Sequence, residues 1–254
     1  MPECVPSPVL SRAVLSGARR CSTKYTPTFG AARYIDAIAA PDLTTLVAPG
    51  HTALVTVEVQ ENVVGESSRI PLLAAAVVAG GVLERIAGLC RGARDAGVPV
   101  LHCTTESRPD RLGSNHNAPL FALSRRSGPP PPGSHAFEVH PDVGVEPTDF
   151  VLPRLHGLTA LAGTSLDAIL RNLGITTIVA TGVSVNVALL GLTFDAVNLG
   201  YQFVLARDAT AGVGDEYVDA VYANTLSLLA TVTTTVDVLD VWARARPTVP
   251  EPDG

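Results

Sequence analysis

The sequence predicts an α/β domain with three layers, in which helices cover both faces of a mostly parallel sheet of about six strands. Short apolar runs of strand length alternate along the chain with longer helical patterns. Of the 254 residues, 46% are hydrophobic, which is enough for one large core, and α/β domains of this length are commonly single. We therefore expect one domain over residues 51–245, between an N-terminal extension at 1–50 that is irregular or partly ordered and a C-terminal tail at 246–254.

The first half of the domain supplies three strands and a long helix. Apolar residues at 53–59 predict the first strand, and the pattern over 73–95 predicts a helix that ends at Ala96-Gly97. Residues 99–104 form the second predicted strand. Four consecutive prolines at 129–132 belong to a surface connection inside the domain, since proline cannot continue either element. The third strand is predicted at 150–154.

The second half repeats the alternation three times. We predict helices at 165–173, 186–198 and 215–229 and strands at 176–180, 202–206 and 231–234, with glycines such as Gly174 and Gly200 ending the helices. Strands connected through helices form a parallel, Rossmann-like sheet. Ligands of such sheets bind beyond the carboxyl ends of the strands.

Composition excludes several classes of partner. A net charge of -6 without a clustered basic face argues against nucleic acid. No apolar run is long enough for a membrane span. The four cysteines, at positions 4, 21, 90 and 103, are irregularly spaced and predict neither disulfides nor a zinc site, so we expect reduced thiols and a cytoplasmic location. Asp110 and His116 alone do not make a metal site, and we expect no cofactor.

Glu58 is the sharpest candidate site residue, because it is a carboxylate within an apolar stretch that a parallel sheet should bury. A buried carboxylate is costly unless it is paired or protonated. Beside a cation, Glu58 could act as a general acid or base. The alternative is that Glu58 only forms a structural ion pair with Arg154, which follows the third strand.

Several segments together resemble the isochorismatase-like hydrolases, a superfamily of nicotinamidases, other cysteine amidases and isochorismatase. The similar segments are the first strand through Gln60, the run from Arg154 to Asp167, the turn 181–188, Asp195-Ala196 and Arg207-Asp208. The resemblance implies that Glu58 stands at the family's aspartate position and that Arg154, or a close neighbour, stands at its lysine position. Ala188 stands where the amidases carry the attacking cysteine. A cis peptide bond at Val183-Ser184 is also implied.

These departures predict a hydrolase that works without a cysteine nucleophile, because a methyl group cannot attack an amide. Isochorismatases offer a precedent, since they hydrolyse a vinyl ether with an acidic residue at the Glu58 position. The resemblance therefore implies Glu58 as the acid, Arg154 as an anchor for a small anionic substrate, and backbone amides at Ser184 and Ala188 that bind a polar oxygen. The expected substrate-binding residues are Gln60, His116, His156 and Asn186.

Other functions remain open from the sequence. The chain could be an inactive relative that binds a metabolite or partner, or an amide hydrolase with a displaced nucleophile such as Cys103. Buried cysteines in apolar strands are usually inert. The resemblance also implies a homo-oligomer, a dimer or tetramer.

Overall fold

A computed structural model describes residues 42–126, 128–131 and 133–245. It contains one sheet of six parallel strands: β1 (Thr52–Val57), β2 (Val100–Thr105), β3 (Phe150–Arg154), β4 (Thr177–Val183), β5 (Gln202–Ala211) and β6 (Thr231–Thr233). The strand order is β3-β2-β1-β4-β5-β6, and every neighbouring pair is parallel. The predicted fold class is therefore confirmed.

Helices cover both faces of the sheet. They are α1 (Leu43–Leu46), α2 (Glu61–Val64), α3 (Pro71–Ala79), α4 (Val82–Asp95), α5 (Pro119–Arg126), α6 (Leu166–Asn172), α7 (Leu190–Asn198), α8 (Asp215–Val221), α9 (Ser227–Leu229) and α10 (Thr235–Arg244). A π-helical turn, Val185–Leu189, leads into α7, and a second one, Tyr222–Leu226, joins α8 to α9.

Alternate residues of the strands enter two separate hydrophobic cores. Leu54 and Val100 pack on one face with Ile86 of α4 and Trp242 of α10, and the indole Nε1 of Trp242 donates to the Val47 carbonyl at 2.9 Å. Further apolar residues pack on the opposite face with α6 and α7, among them Val55, Val57, Leu101, Leu166 and Leu192. Both faces of a parallel sheet are buried by its crossover helices, so the strands are mostly apolar.

The sheet topology brings the candidate residues together. Strands β2 and β4 lie on opposite sides of β1 in the sheet. Val57 of β1 is in register with Cys103 of β2 and with Gly182 of β4. The carboxyl ends of β1, β2 and β4 therefore lie side by side at the switch point of the sheet, where ligands of such folds bind.

Most predicted elements are present with small changes in their bounds, but the single helix predicted over 73–95 is wrong. The chain forms α3 and α4 instead, with a bend of 66° between them. Gly80-Gly81 interrupts the helical pattern, and Gly81 has φ +58, a left-handed conformation that glycine adopts without strain. The apolar pattern continues on both sides of the break, which explains why periodicity alone did not reveal it.

Three further differences concern the surroundings of the site. β1 ends at Val57 rather than at residue 59, so Glu58 follows the strand instead of lying within it. Helices α2 and α5 were not predicted. β5 extends to Ala211, five residues beyond the predicted end, across an irregular register opposite Ala180 and Gly182.

The N-terminal extension predicted at 1–50 is described only from residue 42 onwards, and the C-terminal tail predicted at 246–254 is not described. Residues 1–41 and 246–254, and with them Cys4 and Cys21, lie outside the described residues.

Within residues 42–245, apart from 127 and 132, no single helix is long and apolar enough to cross a membrane. The bent pair Pro71–Ala79 and Val82–Asp95 meets the length and composition requirement only when its two helices are taken together.

Candidate active site

Glu58 is the first residue after β1 and has an unusual backbone conformation. Its φ of +54 is in the left-handed region, which costs a residue with a side chain roughly 1–2 kcal/mol. Its backbone N–H donates to the Cys103 carbonyl at 2.8 Å, which ties the residue to β2. A fixed backbone in this region is typical of functional sites.

The Glu58 carboxylate accepts a hydrogen bond from Nη2 of Arg154, the last residue of β3. The Glu58 side chain is 18% exposed and that of Arg154 is 4% exposed. Burial raises the pKa of Glu58 above its ordinary value, and the charge and hydrogen bond of Arg154 only partly oppose this. The carboxyl is therefore suited to exchanging a proton closer to neutral pH than an ordinary glutamate.

Arg154 has unused hydrogen-bonding capacity. Its Nε and Nη1 atoms are buried and have no hydrogen-bond partner among the described residues. Unpaired buried donors are costly, and guanidinium groups match the geometry of carboxylate oxygens. Arg154 can therefore pair with Glu58 and still donate to the oxygen of a bound anion.

The turn after β4 contributes the other side of the site. The peptide bond Val183-Ser184 is cis, as the resemblance implied. Gly182 has φ +104, and a Cβ there would lie 2.3 Å from the Val57 carbonyl oxygen, so only glycine fits this close approach of β4 to β1. The backbone N–H groups of Val187 and Leu189 donate to the Ser184 carbonyl.

Ala188 lies in the π-helical turn, is 2% exposed and packs in the core between the sheet and α7. Its methyl group supplies no nucleophile. Ser184 is half-buried and makes no side-chain cap to the following helix. Asn186 is half-buried close to Gly212. The cysteine-free turn therefore offers backbone groups and one hydroxyl to a substrate.

The side chain of Gln60 is fully buried and already bonded. Its amide nitrogen donates to the Thr105 carbonyl at 2.7 Å and to Asn62, and its oxygen accepts from the Thr105 N–H at 2.7 Å. Gln60 therefore joins the end of β1 to the end of β2, and both of its N–H donors are used in a side chain with no exposed surface.

The two predicted histidines lie on the surface, in the segments that follow β2 and β3. His116 is exposed, and its Nδ1 accepts from Arg125 at 3.1 Å. His156 is exposed and packs over Gly163. His156 also lines a polar cavity of about 80 Å³ at the carboxyl ends of β2 and β3, whose other lining residues include Glu106, Ser107, Arg111, Asn115, Ser124 and Arg125.

From the sequence, residues 104–121 and the proline-rich loop were expected to set substrate specificity, and they supply most of the lining of this cavity, but its two arginines were not singled out. Its arginines come from the irregular segment after β2 and from the unpredicted helix α5. One signal was present, because four arginines (Arg108, Arg111, Arg125 and Arg126) occur in the segment that follows the end of β2. Arg108 pairs with Asp110 at 2.7 Å, and this hydrogen bond lowers the pKa of Asp110 to about 2.

Cys103 is not placed as a nucleophile. It is 2% exposed within the core, and burial raises the pKa of its thiol to about 12. Cys90 is equally buried and its pKa is also raised to about 12. Only a thiolate attacks efficiently, so neither thiol suits covalent catalysis.

Two other polar clusters serve the fold. His102 is fully buried, with Nδ1 2.8 Å from the Thr56 hydroxyl and Nε2 3.4 Å from Asp149, which binds Arg94. Burial lowers the pKa of His102. Asp208 accepts from the backbone and hydroxyl of Thr235 at the start of α10. Among the described residues no group of three histidine, cysteine or acidic side chains could hold a metal ion.

Comparison with known proteins identifies the family to which this fold belongs. The family model described as the isochorismatase domain matches residues 52–237. The chain belongs to the isochorismatase family. It is 28% identical over 182 residues to a ureidoacrylate amidohydrolase of Pseudomonas syringae pv. syringae, an alignment that covers 66% of this chain and 74% of the relative.

Solved structures show the same fold. An isochorismatase family protein from Burkholderia thailandensis superposes with a TM-score of 0.62 at 25% identity, over 76% of this chain and 96% of that one. A cysteine hydrolase from Pseudomonas syringae pv. phaseolicola superposes with a TM-score of 0.70 at 21% identity, over 82% and 100% of the two chains. The three-layer architecture is thus that of the isochorismatase family of hydrolases.

Proposed function

We propose that this isochorismatase-family protein hydrolyses a small anionic substrate by acid-base chemistry, with Glu58 as the proton-transfer group and without a covalent enzyme intermediate. The observation that carries the proposal is the Glu58 carboxyl, largely buried beside Arg154, with its pKa raised and with Ala188 in place of a nucleophile. A general acid or base at such a position contributes about 10²–10⁴-fold in rate.

The first candidate bond is the C–O bond of a vinyl ether. Protonated Glu58 gives its proton to the terminal alkene carbon, and the ether oxygen shares the resulting positive charge. Water adds to the cationic carbon and returns a proton to the Glu58 carboxylate. The hemiketal then collapses to an alcohol and a ketone, so that one water is consumed and the protein ends unchanged.

Arg154 has two parts in this scheme. One nitrogen holds the Glu58 carboxylate, which stabilises the ionised form after proton transfer. The unpartnered Nε and Nη1 groups supply donors for a substrate carboxylate beside the reacting bond. Because arginine keeps its proton at all working pH values, it acts through charge and hydrogen bonds rather than proton transfer.

A second candidate is hydrolysis of a C–N bond by water. The curated relative is a ureidoacrylate amidohydrolase, and this likeness favours a carbamoyl substrate. Here Glu58 would act as the base that activates water, and the backbone amides of Ser184 and Ala188 would stabilise the oxyanion. The buried Cys103 is not used in either scheme.

The test compares two probe substrates, isochorismate for C–O cleavage and ureidoacrylate for C–N cleavage, with product measured by chromatography. We expect wild-type protein to hydrolyse one of them and Glu58→Gln to be slower by about 10²–10⁴-fold. Glu61→Gln is the matched control, since Glu61 is a nearby half-buried glutamate at the start of α2, and it should retain wild-type activity. No hydrolysis of either probe, or equal rates in both variants, would contradict the proposal and favour a binding protein without turnover.

A further inference from the structure

A polar cavity of about 80 Å³ lies beside the candidate active site, between the ends of β2 and β3. Its floor includes Thr105, which is in register with Arg154, and Leu155, the residue after Arg154. The Glu106 N–H donates to the Arg154 carbonyl at 2.9 Å. The cavity is therefore built on the same strand ends that hold Arg154, the partner of Glu58.

The charged groups that line the cavity favour an anion. Two guanidinium groups, from Arg111 and Arg125, face one carboxylate, from Glu106. In the described part of the chain, neither arginine forms an ion pair with a carboxylate. Arg111 instead donates to the Gly128 carbonyl, and Arg125 to His116. Two positive charges against one negative charge leave the lining with an excess of one.

Two further features indicate a built site. Arg111 has φ +56, a backbone conformation that costs a residue with a side chain roughly 1–2 kcal/mol and is common at functional sites. Arg111 also lies close enough to Arg69 for its charge to lower the pKa of Arg69, after the larger effect of burial. The guanidinium of Arg69, which does not itself line the cavity, therefore adds to the positive potential around Arg111.

Cavity size limits the ligand. One water needs roughly 10–15 Å³ of such space, so about 80 Å³ accommodates a group of a few non-hydrogen atoms. Hydroxyl and amide groups, among them Ser107, Ser114 and Asn115, add neutral hydrogen-bonding partners. A single carboxylate fits both the volume and the excess charge of one.

We propose that this cavity binds a carboxylate of the substrate remote from the reacting bond, and that Arg125 and Arg111 hold it. The cavity adjoins Arg154 through Thr105, its register partner on β2, and Leu155, the next residue along the chain. That this carboxylate is remote from the reacting bond rests on the proposed role of Glu58, whereas carboxylate binding in the cavity does not. The substrate class is then a small molecule with one carboxylate in the cavity and the bond that is cleaved beside Glu58.

The test is an NMR titration of the full chain with sodium acetate and, separately, inorganic phosphate at constant ionic strength, followed through the amides of Ser107, Asn115 and Gly157. We expect saturable acetate binding that Arg125→Ala weakens about tenfold, as for loss of a charge-assisted hydrogen bond. Arg126→Ala, the neighbouring exposed arginine that does not line the cavity, should bind within twofold of wild type.

A second pair of variants keeps the test independent of the Arg125 contacts. Ser124→Asp adds a negative charge at the cavity and should weaken acetate binding at least tenfold. Ser124→Asn, whose side chain has the shape of aspartate without its charge, should change acetate binding less than twofold. Equal effects within either pair, or no saturable shifts, would overturn the proposal. Phosphate binding more than tenfold tighter than acetate would overturn the carboxylate assignment. If acetate binds as expected but Glu58→Gln remains active, the proposed function fails and the carboxylate site stands.

Discussion

Replacing Glu58 by glutamine separates a catalytic carboxyl from a purely structural ion pair. If the opposite charges of the pair with Arg154 are what stabilise the fold, their loss leaves a charged guanidinium that is 4% exposed without a countercharge. Breaking a buried pair in this way costs about 3–5 kcal/mol, which lowers the melting temperature of a domain of this size by roughly 6–20 °C.

The catalytic account predicts a different outcome. The glutamine oxygen still accepts from Arg154, and burial already disfavours the charge that the substitution removes, as the raised pKa of Glu58 shows. We therefore expect the free energy of unfolding to change by less than about 1 kcal/mol, or roughly 4 °C at most. Hydrolysis of the active probe should fall by about 10²–10⁴-fold, a barrier increase of about 3–5 kcal/mol.

The same variant predicts a difference in pH dependence. A carboxyl whose folded pKa is raised holds its proton longer in the folded state, so wild-type stability falls as the pH rises from about the ordinary value of 4.5 through the folded pKa. Glu58→Gln should lack this fall. Urea unfolding between pH 4 and pH 8 measures both effects. A large loss of stability in Glu58→Gln with unchanged hydrolysis would refute the catalytic role.

Three further variants test neighbouring parts of the account. Cys103→Ala should keep hydrolysis within about twofold and cost about 1 kcal/mol in urea unfolding; loss of turnover in a folded variant would restore Cys103 as a nucleophile. Gly182→Ala should lower the free energy of unfolding by about 4 kcal/mol or more, because the new Cβ would lie 2.3 Å from the Val57 carbonyl oxygen. Gly50→Ala, where nothing lies within 4 Å, is its control and should change unfolding by less than about 0.5 kcal/mol; equal effects would contradict the close approach. Arg154→Lys keeps the charge but loses the planar set of donors, so KM for the active probe should rise about tenfold in steady-state kinetics, and an unchanged KM would exclude Arg154 as the anchor.

The strands could be predicted because each is an apolar run bounded by turn residues. The prediction for β3 agrees with the structure at both ends. The break between α3 and α4 could not be predicted in the same way, since apolar residues continue on both sides of Gly80-Gly81. A two-residue change of helix direction depends on what each half packs against, and that information lies in the folded core rather than in the local pattern.

The candidate site, too, could be predicted from the sequence only in part. Glu58 and Arg154 could be paired from the sequence, because residues after parallel strands meet at one edge of the sheet. The use of the Gln60 amide could not be foreseen, since it depends on the position of the Thr105 backbone. Arg111 and Arg125 come from a loop and a short helix whose positions are set by tertiary contacts, so their convergence on one cavity appears only in three dimensions.

The most direct test of hydrolysis without a covalent intermediate is intact-protein mass spectrometry during turnover of isochorismate and ureidoacrylate, with acid quenching on the timescale of a single cycle. The account predicts product formation by wild-type protein, no added mass on the chain at any time, and almost no product with Glu58→Gln. An adduct on Cys90, Cys103 or any other residue, or turnover that survives Glu58→Gln, would contradict it.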